Sequence, residues 1–161
     1  MAPQLKPEEL RAWRAFLDAQ ASILRRLEAE LVSEERLTLA EYDVLFQLGV
    51  AADRRLRMTE LSERVRLSRS GLTRLVDRLV EAGLVTRGHC DSDRRGTFAI
   101  LTPAGIDRVR QVSPVHLRGV SKHFAQRLSP AQLIAIAEAL EPLGQDMPDV
   151  PNAKSLTNAI R

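Results

Sequence analysis

A mostly helical fold with one small β-hairpin is predicted by three observations. Between Met58 and Gly83 two short helical patterns follow one another across a three-residue turn. The run DSDRRGTFAILT, from Asp91 to Thr102, comes directly after them and reads as a charged hairpin tip with its returning strand. Capped, apolar-striped helical segments stand on both sides of that unit.

Pro7 with Glu8 and Glu9 makes a helix start, after which Leu10, Trp13, Leu17, Leu24, Leu27 and Leu31 mark an apolar seam. Thr38 and Glu41 form a capping box that opens a second helix, with Val44, Leu45 and Leu48 on its buried side. Met58, Leu61 and Val65 are the buried side of a short helix that Thr59 can cap. Arg66 to Ser68 make a turn, and Ser68 is placed to cap the next helix, which Gly83 ends in a left-handed conformation. The chain then extends from Val85 to Cys90, turns, and returns as a two-stranded ribbon. A lone hairpin is marginal in water, so it is expected to lean on the helices through Phe98 and Ile100. Thr102 and Pro103 start a long helix whose polar length suggests a connector as much as a core element. Ser129, Pro130 and Gln132 start the last, striped by Leu133, Ile136, Leu140 and Leu143.

The helix from Ser68 to Gly83 has two faces at a 3.6-residue period. Leu72, Leu75, Val76 and Leu79 stack on one side. Ser70, Thr73, Arg74 and Asp77 recur at i, i+3, i+4 and i+7 on the other, flanked by Arg69 and Arg78. A helix entering the major groove needs such a stripe of short polar and guanidinium groups, because base edges present donors and acceptors between walls of phosphate. A solvated face has the same pattern. The preceding helix and turn and the following ribbon favour the nucleic-acid reading, a winged helix-turn-helix carried between N- and C-terminal dimerisation helices.

At the ribbon the residues resemble the MarR-type winged helix-turn-helix regulators. The pattern D-x-R-x-x-x-V-x-L-T is matched by Asp93, Arg95, Leu101 and Thr102, with Ala99 where the family carries valine, a change expected to loosen packing slightly. The order of elements agrees over about residues 7 to 145. The resemblance implies a homodimer on double-stranded DNA, with Arg95 in the minor groove, Asp93 orienting it and Arg94 against phosphate. A narrow minor groove concentrates negative potential and holds a guanidinium there. An Asp93–Arg95 pair that only stiffens the turn is the alternative. Members of the family also bind small anionic or phenolic effectors between the dimer helices and the DNA-reading lobe. Trp13, Tyr42 and Phe46 are the residues expected to line such a crevice here.

The expected division is a single domain: dimerisation helices at 7–36 and 129–145, the winged helix-turn-helix at 38–102, a connector at 103–127 and a flexible tail at 146–161. Apolar seams at both ends are most simply buried by two-fold pairing, with packing of the two end helices within one chain as the alternative. Lys and Arg total 24 against 21 Asp and Glu, so the net charge of +3 is modest and attraction to DNA must be local. It is concentrated from Arg54 to Arg78, where eight arginines face three acids.

No cofactor, metal site or catalysis is expected, since the sequence has no glycine-rich phosphate loop, spaced ligand set or evident triad. His89 and Cys90, adjacent on a strand, point to opposite faces, which argues against joint ligation. Cys90 as an oxidant-sensing thiol stays open. One cysteine precludes an internal disulfide, and the N-terminus lacks the apolar run of a signal or membrane span, so a cytoplasmic protein is expected. The alternative function is a winged-helix protein-interaction module without specific DNA readout.

Overall fold

The computed structural model describes residues 4–65, 67–90 and 93–144, with the side chains of 89, 90 and 93–96 outside that description. Helix α1 (Pro7–Glu35) starts where the Lys6 N–H donates to the Glu9 carboxylate at 2.7 Å. Only Leu27 and Leu31, in its last third, are buried. Leu10, Trp13, Leu17 and Leu24 of the expected seam stay exposed within one chain. Helix α2 (Leu39–Val50) has the expected capping box, with the Glu41 N–H donating to Thr38 Oγ1 at 3.2 Å and the Thr38 N–H to Glu41 at 2.9 Å. Glu28 of α1 also accepts from the Leu39 N–H at 2.6 Å, so two carboxylates gather at the positive end of α2. Tyr42, Val44, Leu45, Phe46, Gln47 and Leu48 are all buried, which makes α2 the centre of the core.

A short strand β1 (Arg55–Arg57) leads into α3 (Met58–Arg64), followed by α4 (Arg69–Glu81), β2 (Val85–Cys90) and β3 (Asp93–Leu101). The sheet is antiparallel in the order β1-β3-β2. The hairpin is therefore not two-stranded. Arg-Leu-Arg has the polarity of a loop, and only Leu56 points inward, too little alternation for a strand to be read from sequence. The sheet's phase also corrects the expectation for Phe98 and Ile100. Val85, Ala99, Leu101 and Leu56 face the core, while Phe98 and Ile100 are half-buried on the outer face. Alternation fits either phase, and Leu56 opposite Ala99 selects this one. Ala99, where the family carries valine, is fully buried.

Thr59 does not cap α3. Arg57 occupies the cap position with the extended backbone a cap requires, because β1 runs straight into the helix. The Thr59 carbonyl instead accepts from the Ser62 hydroxyl at 2.7 Å.

Helix α5 (Pro103–His123) is capped by Thr102, whose hydroxyl accepts from the Gly105 N–H at 3.0 Å. It serves as a core element, for Gly105, Val109, Val112, Ser113, Val115 and Gly119 are buried along it. A Cβ at Gly105 would lie 2.2 Å from the Leu84 carbonyl oxygen, so glycine there permits the helix to meet the sheet's edge. Glu30, Glu34 and Glu35 of α1 pair with Lys122 and His123, Arg118, and Arg108 of α5, respectively, fixing the two helices side by side. A 3-10 turn at Ala125–Arg127 leads to α6 (Pro130–Leu140), which has the expected Ser129 and Gln132 box and buries none of its residues within the chain.

Candidate nucleic-acid interface

Helix α4 is fixed at both ends. Ser68 Oγ accepts from the Gly71 N–H at 3.1 Å. At the other end Gly83, at φ 72°, closes a Schellman turn in which the Leu84 N–H donates to the Leu79 carbonyl and the Gly83 N–H to that of Val80, both at 2.9 Å. Leu72, Leu75, Val76 and Leu79 are 4% exposed or less, which settles the rotation of the helix about its axis. Arg69, Ser70, Thr73, Arg74, Asp77 and Arg78 consequently all face solvent.

Those six side chains are not equivalent. Thr73 Oγ1 donates to the Arg69 carbonyl at 2.8 Å, leaving its lone pairs and methyl group outward. Asp77 is engaged by Arg87 of β2, whose Nη2 lies 2.8 Å from Oδ1 and also donates to the Thr73 carbonyl at 3.4 Å. Arg78 Nε donates to Glu41 Oε1 at 3.2 Å, tying α4 to the start of α2. Burial works to raise the Glu41 carboxyl, but hydrogen bonds from Thr38 and Arg78 outweigh it and hold the group below its ordinary pKa. Arg69 and Arg74 form no ion pair with any described residue. The stripe thus divides into an outward set, Arg69, Ser70, Thr73 and Arg74, and a pair, Asp77 and Arg78, anchored to the sheet and to α2.

Arg87 escaped sequence reading. Its register opposite Ala99 places it on the helix-facing side of the sheet, two residues along from buried Val85, and an arginine there needs an anion from the helix beneath. Asp77 supplies it. A second cationic feature lies on the outer face, where the Arg55 and Arg57 guanidiniums sit 5.3 and 5.2 Å from the Phe98 ring centroid. Asp93, Arg94 and Arg95 lie on β3, their side chains outside the described residues. The same holds for His89 and Cys90, while Arg66 and the expected tail at 146–161 fall outside altogether.

The three aromatic residues expected around an effector are not brought together. Tyr42 and Phe46 stack in the core at 6.0 Å between centroids, and the Tyr42 hydroxyl donates to Ser113 Oγ at 3.2 Å. Trp13 is 55% exposed and stacks on Phe16 instead. His116 packs against Tyr42 at 4.7 Å. Burial pushes its pKa down and that of Tyr42 up. Among the described residues no group of three or more His, Cys, Asp or Glu could hold a metal, and no helix is long and apolar enough to cross a membrane.

A capped polar helix, the short helix before it and a three-stranded sheet with an extended hairpin together define a winged helix-turn-helix protein. The comparisons agree. The family model described as MarR family matches residues 37–96. AbsC from Streptomyces coelicolor, a MarR family transcriptional regulator, is 35% identical at a TM-score of 0.81, the alignment covering 89% of this chain and 97% of that one. Sco3205, a MarR family regulator from the same organism solved in complex with DNA, is 33% identical at 0.83, covering 90% and 91%. The HTH-type transcriptional repressor YetL of Bacillus subtilis is 34% identical over 85 residues, 53% of this chain and 51% of YetL, so the match spans about half of that relative. The chain belongs to the MarR family of transcriptional regulators.

Proposed function

We propose that this chain is a cytoplasmic, non-enzymatic transcription factor that binds a pseudo-palindromic operator as a homodimer, represses by occlusion and is released by a small-molecule effector. The carrying observation is the outward set on α4. Arg69, Ser70, Thr73 and Arg74 are exposed on a helix whose rotation is fixed by four buried apolar side chains and whose far half is anchored through Asp77 and Arg78. Thr73 and Arg74 read base edges, Arg69 and Ser70 meet the flanking backbone, and Arg95 enters the minor groove with Asp93 orienting it and Arg94 on phosphate. The DNA complex of Sco3205 and the repressor name of YetL support this reading.

Homodimerisation is supported by what one chain leaves uncovered. A groove of about 620 Å³ between α1 and α6 is walled by Phe16, Ile23, Phe124, Leu128, Ile136 and Leu140 among others, and α6 buries nothing of its own. A second copy offers the same apolar surface in return. An effector that prefers a dimer with differently spaced lobes lowers operator affinity by its differential binding free energy.

The test is selection from randomised duplexes at near-physiological salt with competitor DNA. The expected result is an inverted repeat with half-site centres about 34 Å apart, one helical turn. Retention without any motif would replace operator binding with the protein-interaction reading.

A further inference from the structure

Arg78 of α4 spends one of its donors inside the chain and keeps the others. Its Nε donates to Glu41 Oε1 at 3.2 Å, while neither Nη takes an acceptor among the described residues. The Arg78 side chain is 56% exposed and that of Glu41 only 15%, so the carboxylate holds the guanidinium from below and the Nη pair is left to solvent. Glu41 cannot follow the arginine outward, because its other oxygen is bound twice. Oε2 accepts from the Thr38 N–H at 2.9 Å and from Thr38 Oγ1 at 2.8 Å. Thr38 is the N-cap of α2, and the next residue, Leu39, donates its N–H to Glu28 of α1 at 2.6 Å. One carboxylate therefore holds a guanidinium of α4 in a fixed direction relative to α1 and α2.

Arg74 and Arg78 stand at i and i+4 on α4, about 6 Å apart along its axis. The major groove is about 12 Å wide and walled by phosphates, so a helix that sets Arg74 against base edges brings the residue one turn later to a wall. Fixing a free arginine side chain at the moment of binding costs conformational entropy. One already held through Nε, with both Nη groups open, meets a phosphate with less of that cost. We propose that Glu41 is a positioning residue for DNA binding, holding the Arg78 guanidinium so that its Nη groups meet a backbone phosphate at the edge of the major groove. The inference rests on operator binding by α4 and adds to it a contact that depends on α2. Charge alone argues the other way, since a carboxylate near a polyanion repels it. Removing Glu41's charge would tighten binding unless that charge acts through Arg78.

The test uses the full chain and the duplex enriched in the selection, read by fluorescence anisotropy at several salt concentrations. Glu41→Gln keeps an acceptor for the Thr38 N–H, because glutamine serves in a capping box, but removes the charge that holds Nε. Expected are a nearly unchanged urea midpoint, an affinity about fivefold weaker and a flatter dependence of log affinity on log salt. Arg78→Ala should weaken binding at least as much, and Glu41→Gln added to Arg78→Ala should do no further harm, the mark of a residue that acts through another. Arg78→Lys should not restore the wild-type value, since one ammonium must then serve both carboxylate and phosphate. Tighter or equal binding by Glu41→Gln overturns the inference, as do additive losses in the double variant. A fall in the urea midpoint with the salt dependence unchanged would make Glu41 a cap of α2 and nothing more. A wild-type chain that enriches no duplex would instead remove the operator reading on which the inference rests.

Discussion

Arg87 and Asp77 join the wing to the helix that carries the outward polar set, with Nη2 2.8 Å from Oδ1 and the same nitrogen within 3.4 Å of the Thr73 carbonyl. The side chains are 31% and 55% exposed, so the pair contributes about 0–1 kcal/mol to stability. Its larger effect is on geometry and on charge at the proposed DNA-facing surface. Arg87→Ala leaves a lone carboxylate beside the expected phosphate wall, and operator affinity should fall about tenfold while the urea midpoint barely moves. Adding Asp77→Asn removes that carboxylate and should restore part of the loss in fluorescence anisotropy titrations. A double variant no better than Arg87→Ala would mean that the lost affinity does not come from the unpaired charge.

The outward set and the wing should separate by kind of readout. Arg74→Ala is expected to change which operator sequences are preferred, costing about 1–3 kcal/mol at one base-pair position. Arg95→Ala should leave the bases preferred in the major groove unchanged, weaken binding, relax any preference for a narrow minor groove, and flatten the dependence of log affinity on log salt by about one unit. Binding measured at several salt concentrations against a panel of single-substituted operators distinguishes them. Uniform weakening by Arg74→Ala would make that residue a phosphate contact.

Much of the frame that holds the α4 surface was legible because the signals are local. Ser68, Gly83 and Thr102 sit at chain positions where a hydroxyl cap or a left-handed residue is needed, and the α4 stripe follows from a period of 3.6. What escaped depends on partners distant in sequence. β1 is one apolar residue between two arginines and exists because β3 pairs with it. The inward phase of Ala99 and Leu101 was chosen by that pairing, and the role of Arg87 required knowing that Asp77 lies beneath it. The scatter of Trp13 from Tyr42 and Phe46 was hidden for the same reason, since an aromatic residue on an apolar stripe looks alike in the core and on an uncovered helix.

Acid should weaken the fold in two steps. Burial lowers the His116 pKa from its ordinary 6.5, so the unfolded chain takes up a proton there that the folded one refuses. Stability is therefore full above about pH 6.5 and declines as pH falls below it, until the folded-state pKa is passed. Glu30 follows at lower pH. Its hydrogen bond with His123, then that with Lys122, holds it below its ordinary 4.5, so its contribution is lost as pH drops from 4.5 through the folded value. Urea unfolding at fixed protein concentration from pH 7.5 to 5 should show the first step. His116→Phe, which keeps a ring against Tyr42 and removes the unpartnered Nδ1, should flatten it. An unchanged slope would place the titrating group elsewhere.

The groove between α1 and α6 gives the sharpest test of assembly. Ile136 lines it with Phe16, Ile23 and Leu128, whereas Leu143, 80% exposed, is not among its lining residues. If a second copy covers this surface, Ile136→Glu places a carboxylate against apolar side chains without a partner, at a cost of about 2–3 kcal/mol per chain, and with two such chains in the dimer its dissociation constant should rise about a thousandfold or more. Leu143→Glu should change it little. Sedimentation equilibrium reads both, and circular dichroism checks that the helices persist, since α6 buries nothing within its own chain and its loss of a partner leaves the core of α2, α4 and α5 intact. The monomeric variant retains the outward set on α4 but loses the two-fold that sets the spacing of two such helices. It should therefore bind a single half-site weakly and gain nothing from the second half of an inverted repeat. An unaltered dimer in Ile136→Glu would show that the chains pair through another face.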